Sequence, residues 1–189
     1  MNSKNNSRQK ILDTASKLFQ VKGYNATGLN EILKESGSPK GSLYYYFPNG
    51  KEELAVEAIK LASKAIEKNI RTSLAKYSDP IKAMKYNIEN IIKLLNLEGK
   101  LKDISISLLS LETYLFSNHL RQACEEAFIL LENVYIEKLI ESGYGKEKAE
   151  ELGMVIQLMI EGAITVSVTK KNVSALIAVS NQIETLLKY

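Results

Sequence analysis

The sequence predicts an all-α protein of about nine helices, and three observations carry that prediction. Apolar residues recur at helical spacing in segment after segment from Ile11 to Leu187. Helix starts and stops fall between those segments: glycines at 23 and 37, Ser38-Pro39, Asn49 and Asp79-Pro80. The single stretch that alternates like a strand, "ISISLLSL" at 104–111, has no partner strand and reads as a short helix among helices.

The elements follow in order. Ile11, Ala15, Leu18 and Phe19 form one stripe of a first helix over 8–22, and Gly23 can stop it in the left-handed conformation. Thr27 is an N-cap residue type for a second helix with Leu29, Ile32 and Leu33 inward, ended by Gly37. Ser38 can cap a third helix that has Pro39 at its first position, Leu43 and Phe47 inward, and Pro48 as its breaker. Asn49 followed by Glu52 reads as a capping box opening a fourth helix to about Tyr77.

Asp79-Pro80 starts a fifth helix, with Ile81, Met84, Ile88, Ile91, Ile92 and Leu95 at helical spacing. Leu120, Cys124, Phe128 or Ala127, Leu131, Tyr135 and Leu139 repeat the pattern further on. From Leu152 to Val168 the chain is apolar almost all round, which predicts a helix buried on most sides. At 17 residues, with Gln157 and Glu161 inside it, that segment makes a poor membrane span. A last helix runs from Ser174 to about Leu187.

Charge is divided unevenly. Residues 1–51 hold eight basic side chains against three acidic ones, an excess of +5, whereas the rest holds 17 basic and 19 acidic, a balance of −2. A basic N-terminal module on a near-neutral body predicts a polyanion partner for that module.

Three consecutive tyrosines, Tyr44 to Tyr46, sit in this module. Consecutive helical residues point about 100° apart, so the three cannot share one buried face. Two short helices joined by the Gly37-Ser38 turn and braced by a first helix make a helix-turn-helix, whose second helix enters the major groove N-terminus first. Lys40, Gly41 and Ser42 are then nearest the base edges: lysine can donate to guanine, serine can donate or accept, and glycine lets the backbone approach closely. A tyrosine can pack its ring on the protein and offer its hydroxyl to a phosphate. Free N–H groups beyond Thr27 and at Lys51 offer anion sites.

The stretch "TASKLFQVKGYNATGLNEILKESGSPKGSLYYYFPNGKEEL" resembles the DNA-binding domain of TetR-family transcriptional regulators, over about residues 8–54. It contains the family's G-Y-x-x-T segment and S-x-G-x-L-Y-x-x-F core. The glycine in "FPNGKEEL", with "LSLET" at 109–113 and "MIEGA" at 159–163, is similar to the LmrA/YxaF-like branch, repressors of drug-efflux and aromatic-compound genes. The resemblance implies base contacts from Lys40, Gly41 and Ser42. It implies phosphate contacts from Thr27, Tyr44, Tyr46 and Lys51, with Tyr45 beside them and Gly28 and Ser38 completing the DNA-facing set. It also implies a double-stranded DNA operator, a homodimer, a small-molecule effector and a cytoplasmic location. No cofactor or membrane partner is expected.

The expected division is 1–54 for DNA binding and 55–189 for ligand binding and dimerisation. Gly162 and Ala163 permit close helix approach, and Leu176, Val179, Ile183 and Leu186 form an apolar stripe, so the last two helices are candidates for a dimer interface. The alternative is that they complete the chain's own core. Gln157, Glu161 and Thr165, four apart, share a face that meets solvent, crosses a dimer, or lines a pocket. Pocket walls of mixed apolar, aromatic and polar character could come from Met84, Tyr86, Leu108, Glu112, Tyr114, Phe128 and Met159, although each also suits plain core.

Catalysis is poorly served. One histidine, His119, and one cysteine, Cys124, leave little for a metal site or a nucleophile–base pair, and a lone cysteine makes no internal disulfide. The Gly-Lys pairs at 50–51, 99–100 and 145–146 lack the rest of a phosphate-binding loop. The first ten residues are polar and carry no secretory h-region. A helical adaptor whose helix-turn-helix binds protein is the remaining alternative, and the N-terminal charge excess argues against it.

Overall fold

The computed structural model describes residues 2–98 and 105–188, so Ile104 of the alternating stretch and the Gly99-Lys100 pair lie outside the described residues. Among the described residues there are nine α-helices and no strand. They are α1 (Asn2–Lys22), α2 (Leu29–Ser36), α3 (Lys40–Tyr46), α4 (Lys51–Leu74), α5 (Pro80–Glu98), α6 (Ile106–Thr113), α7 (Asn118–Glu141), α8 (Lys146–Lys170) and α9 (Ser174–Leu187). The alternating stretch is helical as expected, and Ser105 caps it by accepting the Leu108 N–H.

Packing divides the chain into two compact units: 1–64 with 103–128, and 65–102 with 129–189. Thus α6 and the first half of α7 pack with the N-terminal helices.

In the first unit α1 packs on both α2 and α3. Ile11, Leu12, Ala15, Leu18 and Phe19 form its buried face, against which Ile32, Leu43 and Phe47 close. Several local starts differ from the sequence expectation. Gly28, not Thr27, is the N-cap of α2, because the Thr27 hydroxyl donates to the Gly23 carbonyl at 2.7 Å and is spent there. Pro39, not Ser38, is the N-cap of α3, one residue later than expected. At the start of α4 the Asn49 N–H donates to Glu53 at 3.0 Å, so the carboxylate that reaches back is that of Glu53 and not of Glu52. That helix ends at Leu74, three residues before Tyr77.

In the second unit α9 packs on α5 and α8. Asp79 caps α5 as expected, its carboxylate accepting the Lys82 N–H at 2.8 Å. Asn87 donates to the buried Tyr135 hydroxyl at 3.3 Å. On α7 the buried register runs through Ala127, while Phe128 is half-buried. Leu176 and Ile183, expected on a dimer stripe, are fully buried in the chain's own core; Val179 and Leu186 are half-buried.

Contrary to expectation, α8 is not buried on most sides: Leu152, Ile156, Ile160 and Ala163 face inward, but Met154 is 50% and Leu158 65% exposed. Gly162 has open space around it. Close approach occurs at Gly153 instead, where an added Cβ would lie 2.5 Å from Ile136 Cγ1. By length and hydropathy α8 would also suit a membrane crossing. Its inward packing against α7 and α9 is that of a helix in a protein core.

Candidate nucleic-acid interface

The α2–turn–α3 segment owes its shape to two residues in particular. Gly37 adopts the left-handed conformation at φ 62° and its N–H returns to the end of α2, closing the helix within one residue. Pro39, at φ −64° and ψ 147°, then turns the chain into α3. The α3 helix has seven residues and is held from beneath by Leu43 and Phe47, both with no exposed surface.

Burial of those two anchors dictates what faces outward. Lys40 and Gly41 lie exposed at the leading end of α3, with Ser42 half-buried behind them. No atom stands within 4 Å of a Cβ built at Gly41, so the backbone there is open to close approach. Tyr44 is 44% and Tyr45 71% exposed. Tyr46 is half-buried, its ring edge-on to Tyr45 at 4.9 Å between centroids. Ser38 is half-buried and Gly28 exposed. The α2 N-terminus has no side-chain cap. Its first backbone N–H groups point out of the helix and suit an anion.

Two expected phosphate ligands are engaged within the protein. Thr27 is 1% exposed, with its hydroxyl on Gly23 and its N–H on Tyr24. Lys51 holds its ammonium 4.2 Å from the centroid of the Tyr24 ring. Burial lowers the Lys51 pKa, and the nearby Glu112 carboxylate works against that shift.

Tyr24 is the residue that sequence reasoning passed over. It stands in the α1–α2 turn, its ring stacked on Phe19 at 5.8 Å and tilted against Phe116 at 5.9 Å. Its backbone N–H donates to Glu112 Oε2 at 2.6 Å. Burial first, and Glu52 second, raise the pKa of its phenol. The neighbouring α4 start is tied to α7 as well: Ser117 donates to Glu52 and accepts the Leu120 N–H at 3.1 Å. His119 lies mostly exposed, 3.5 Å from the same Glu52 carboxylate. No periodicity could have announced contacts across some 90 residues of chain; the G-Y pair at 23–24 was the one available sign.

The ten expected pocket residues are divided between the two units. Leu108, Glu112, Tyr114 and Phe128 belong to the first unit, and Met84, Tyr86, Gln157, Met159, Glu161 and Thr165 to the second. Met84 is fully buried, whereas Leu108 and Tyr114 are exposed. Tyr86 packs edge-on to Tyr77. Along the α8 stripe, Gln157 is buried with Oε1 unpartnered, Glu161 is half-buried, and the exposed Thr165 donates to its own helix at Glu161. A cavity of about 550 Å³ lined by Glu52, Glu53, Lys60, His119 and Glu126, among others, includes none of the ten. Among the described residues no cluster of three or more potential metal ligands occurs.

The same architecture recurs in known proteins. Residues 11–58 match the bacterial regulatory protein, tetR family model, and residues 80–182 match the C-terminal domain of LmrA/YxaF-like transcriptional regulators. The uncharacterized HTH-type transcriptional regulator YxaF of Bacillus subtilis is 46% identical over 188 residues, covering 100% of this chain and 98% of that protein. The chain belongs to the TetR family. The HTH-type transcriptional regulator LmrA of the same organism is 42% identical, covering 96% of this chain and 97% of its own. QacR of Staphylococcus aureus is 48% identical over 56 residues, 30% of this chain and 29% of that protein. Among solved structures, reduced NemR from Escherichia coli superposes with a TM-score of 0.83 at 20% identity, covering 95% of this chain and 97% of that one. This TetR-family member is therefore a helix-turn-helix transcriptional regulator of the LmrA/YxaF-like branch and not an enzyme.

Proposed function

We propose that this regulator represses transcription as a symmetric dimer on a palindromic operator, and that a small hydrophobic or aromatic molecule releases it. The observation that carries the reading is the leading end of α3, where Lys40 and Gly41 stand exposed with Ser42 half-buried behind them, in a stretch, 1–51, with a +5 charge excess. In this reading those three residues read base edges. Tyr44, Tyr46 and Lys51, with Tyr45, Gly28 and Ser38 alongside and Thr27 through the turn it braces, hold the phosphate backbone. Residues 1–54 bind DNA and 55–189 sense the effector and dimerise, in the cytoplasm.

A symmetric dimer supplies the two half-sites, about one helical turn apart, that such a short recognition helix needs. Support for a second copy comes from apolar side chains left open on α8 and α9, including Met154, Leu158, Val166 and Ile177. Within the sensing part, the buried and unpartnered Gln157 Oε1 favours a hydrogen-bond donor on the effector. Effector and operator then favour different dimer states, a coupling typically worth about 1–3 kcal/mol.

Gel shifts on the chain's own upstream DNA, with a random-sequence selection beside them, test the reading. Tight, salt-sensitive binding to a near-palindrome is expected, and binding no better than non-specific would sink it. Planar aromatics screened for operator release test the effector class, and an unchanged response in Glu161→Ala would remove Glu161 from the site.

A further inference from the structure

Glu112 lies 88 residues along the chain from Tyr24, yet its carboxylate is built into the turn that aims α2. Oε2 accepts the Tyr24 N–H at 2.6 Å. Gly23, at φ 78°, makes room for it: a Cβ there would stand 2.6 Å from Oε1 and 2.9 Å from Oε2. The glycine is thus required both for the left-handed turn and for the space the carboxylate fills. Four residues after Glu112, the Phe116 ring lies against the Tyr24 ring, and the Lys51 ammonium lies 4.2 Å from the centroid of that ring. Backbone and ring of one tyrosine are therefore gripped from α6 and the turn after it, and the gripped ring seats the first lysine of α4.

We infer that Glu112 is a positioning residue for DNA binding, whose carboxylate, with Phe116, sets Tyr24 so that Lys51 presents its ammonium to an operator phosphate. The inference rests on the reading of the chain as an operator-binding regulator. The Tyr24–Glu112 contact is part-buried and joins a backbone N–H to a charged group. It places a carboxylate beside a lysine at the edge of the proposed interface, and the burial that depresses the Lys51 pKa is opposed by that same carboxylate. Fixing the ammonium beforehand spares the ordering of a long side chain when DNA binds.

The test uses the full chain and a duplex selected from random sequence by the wild-type protein. Glu112→Met keeps the length of the side chain and removes both its charge and the acceptor of the Tyr24 N–H. The expected result is binding about three- to tenfold weaker near physiological salt, with the slope of log K against log salt shallower by about one, and circular dichroism unchanged. Lys51→Met should do the same, and the double variant should bind within about twofold of either single one, because both remove one phosphate contact. Phe116→Leu, at an exposed site, should weaken binding in the same sense and serves if Glu112→Met loses helix content. Wild-type affinity and slope in the Glu112 variant, or in Phe116→Leu where that one stands in, or additive losses in the double variant, overturn the positioning role alone. If the wild-type chain selects no specific duplex, the regulator reading and this inference fall together.

Discussion

Lys40 holds its ammonium 6.0 Å from the centroid of the Tyr44 ring, one turn further along α3. The two side chains share a surface but have different expected partners. Lys40→Ala should relax base preference at one or two operator positions, each by about 1–3 kcal/mol. Tyr44→Phe should weaken every site evenly, by about 0.5–1.5 kcal/mol for one hydrogen bond. Competition gel shifts on single-base operator variants separate the two, and a changed preference in Tyr44→Phe would refute its phosphate role.

Gly153 is a packing glycine. A Cβ there would meet Ile136 Cγ1 at 2.5 Å and the Ile136 backbone nitrogen at 3.2 Å, and backbone cannot step aside as a side-chain tip can. Gly153→Ala gains helix propensity but forces α7 and α8 apart. Overpacking of this kind costs about 1–3 kcal/mol, which outweighs the propensity gain. Thermal unfolding should show a lower Tm, and a raised one would mean that the helices have slack.

Cys124 is buried, and burial pushes its thiol up to about 11 from 9.0. The protonated form is the one the fold favours, so this stabilisation is complete below about 9 and fades as pH rises toward about 11. Near pH 8 an aromatic disulfide reagent should react with Cys124 only as fast as the chain opens. Rapid labelling of the native protein would contradict the burial.

Asp79 caps α5 from an exposed position, with its carboxylate on the Lys82 N–H. Asp79→Ala should cost about 0.5–2 kcal/mol, and Asp79→Ser much less. Urea unfolding of the two variants measures the difference; equal losses would show that the cap hydrogen bond is not what stabilises the helix start.

Those cases mark what the amino-acid sequence makes legible. Asp79-Pro80 and the span Ser174–Leu187 were readable because capping and periodicity are local. Leu43 and Phe47 were readable because four-residue spacing on so short a helix leaves no other inward face. Thr27 misled because its hydroxyl has two local acceptor–donor choices, and the Gly23 carbonyl takes it. Leu176 and Ile183 were expected first on a dimer stripe because pattern does not say what covers an apolar face, and packing on α5 and α8 places them in the core. The Tyr24–Glu112 contact was beyond pattern, since nothing short-range encodes it.

The recognition helix has consequences for how such a regulator diversifies. Its attachment depends on positions 43 and 47, while at its leading end Lys40 and Gly41 are exposed and Ser42 is half-buried. If residues 40–42 read the operator as proposed, a duplicated copy can drift toward a new operator through substitutions there without crossing an unfolded intermediate. In that reading, promoter choice and folding are inherited through separate residues of one eight-residue segment, 40–47.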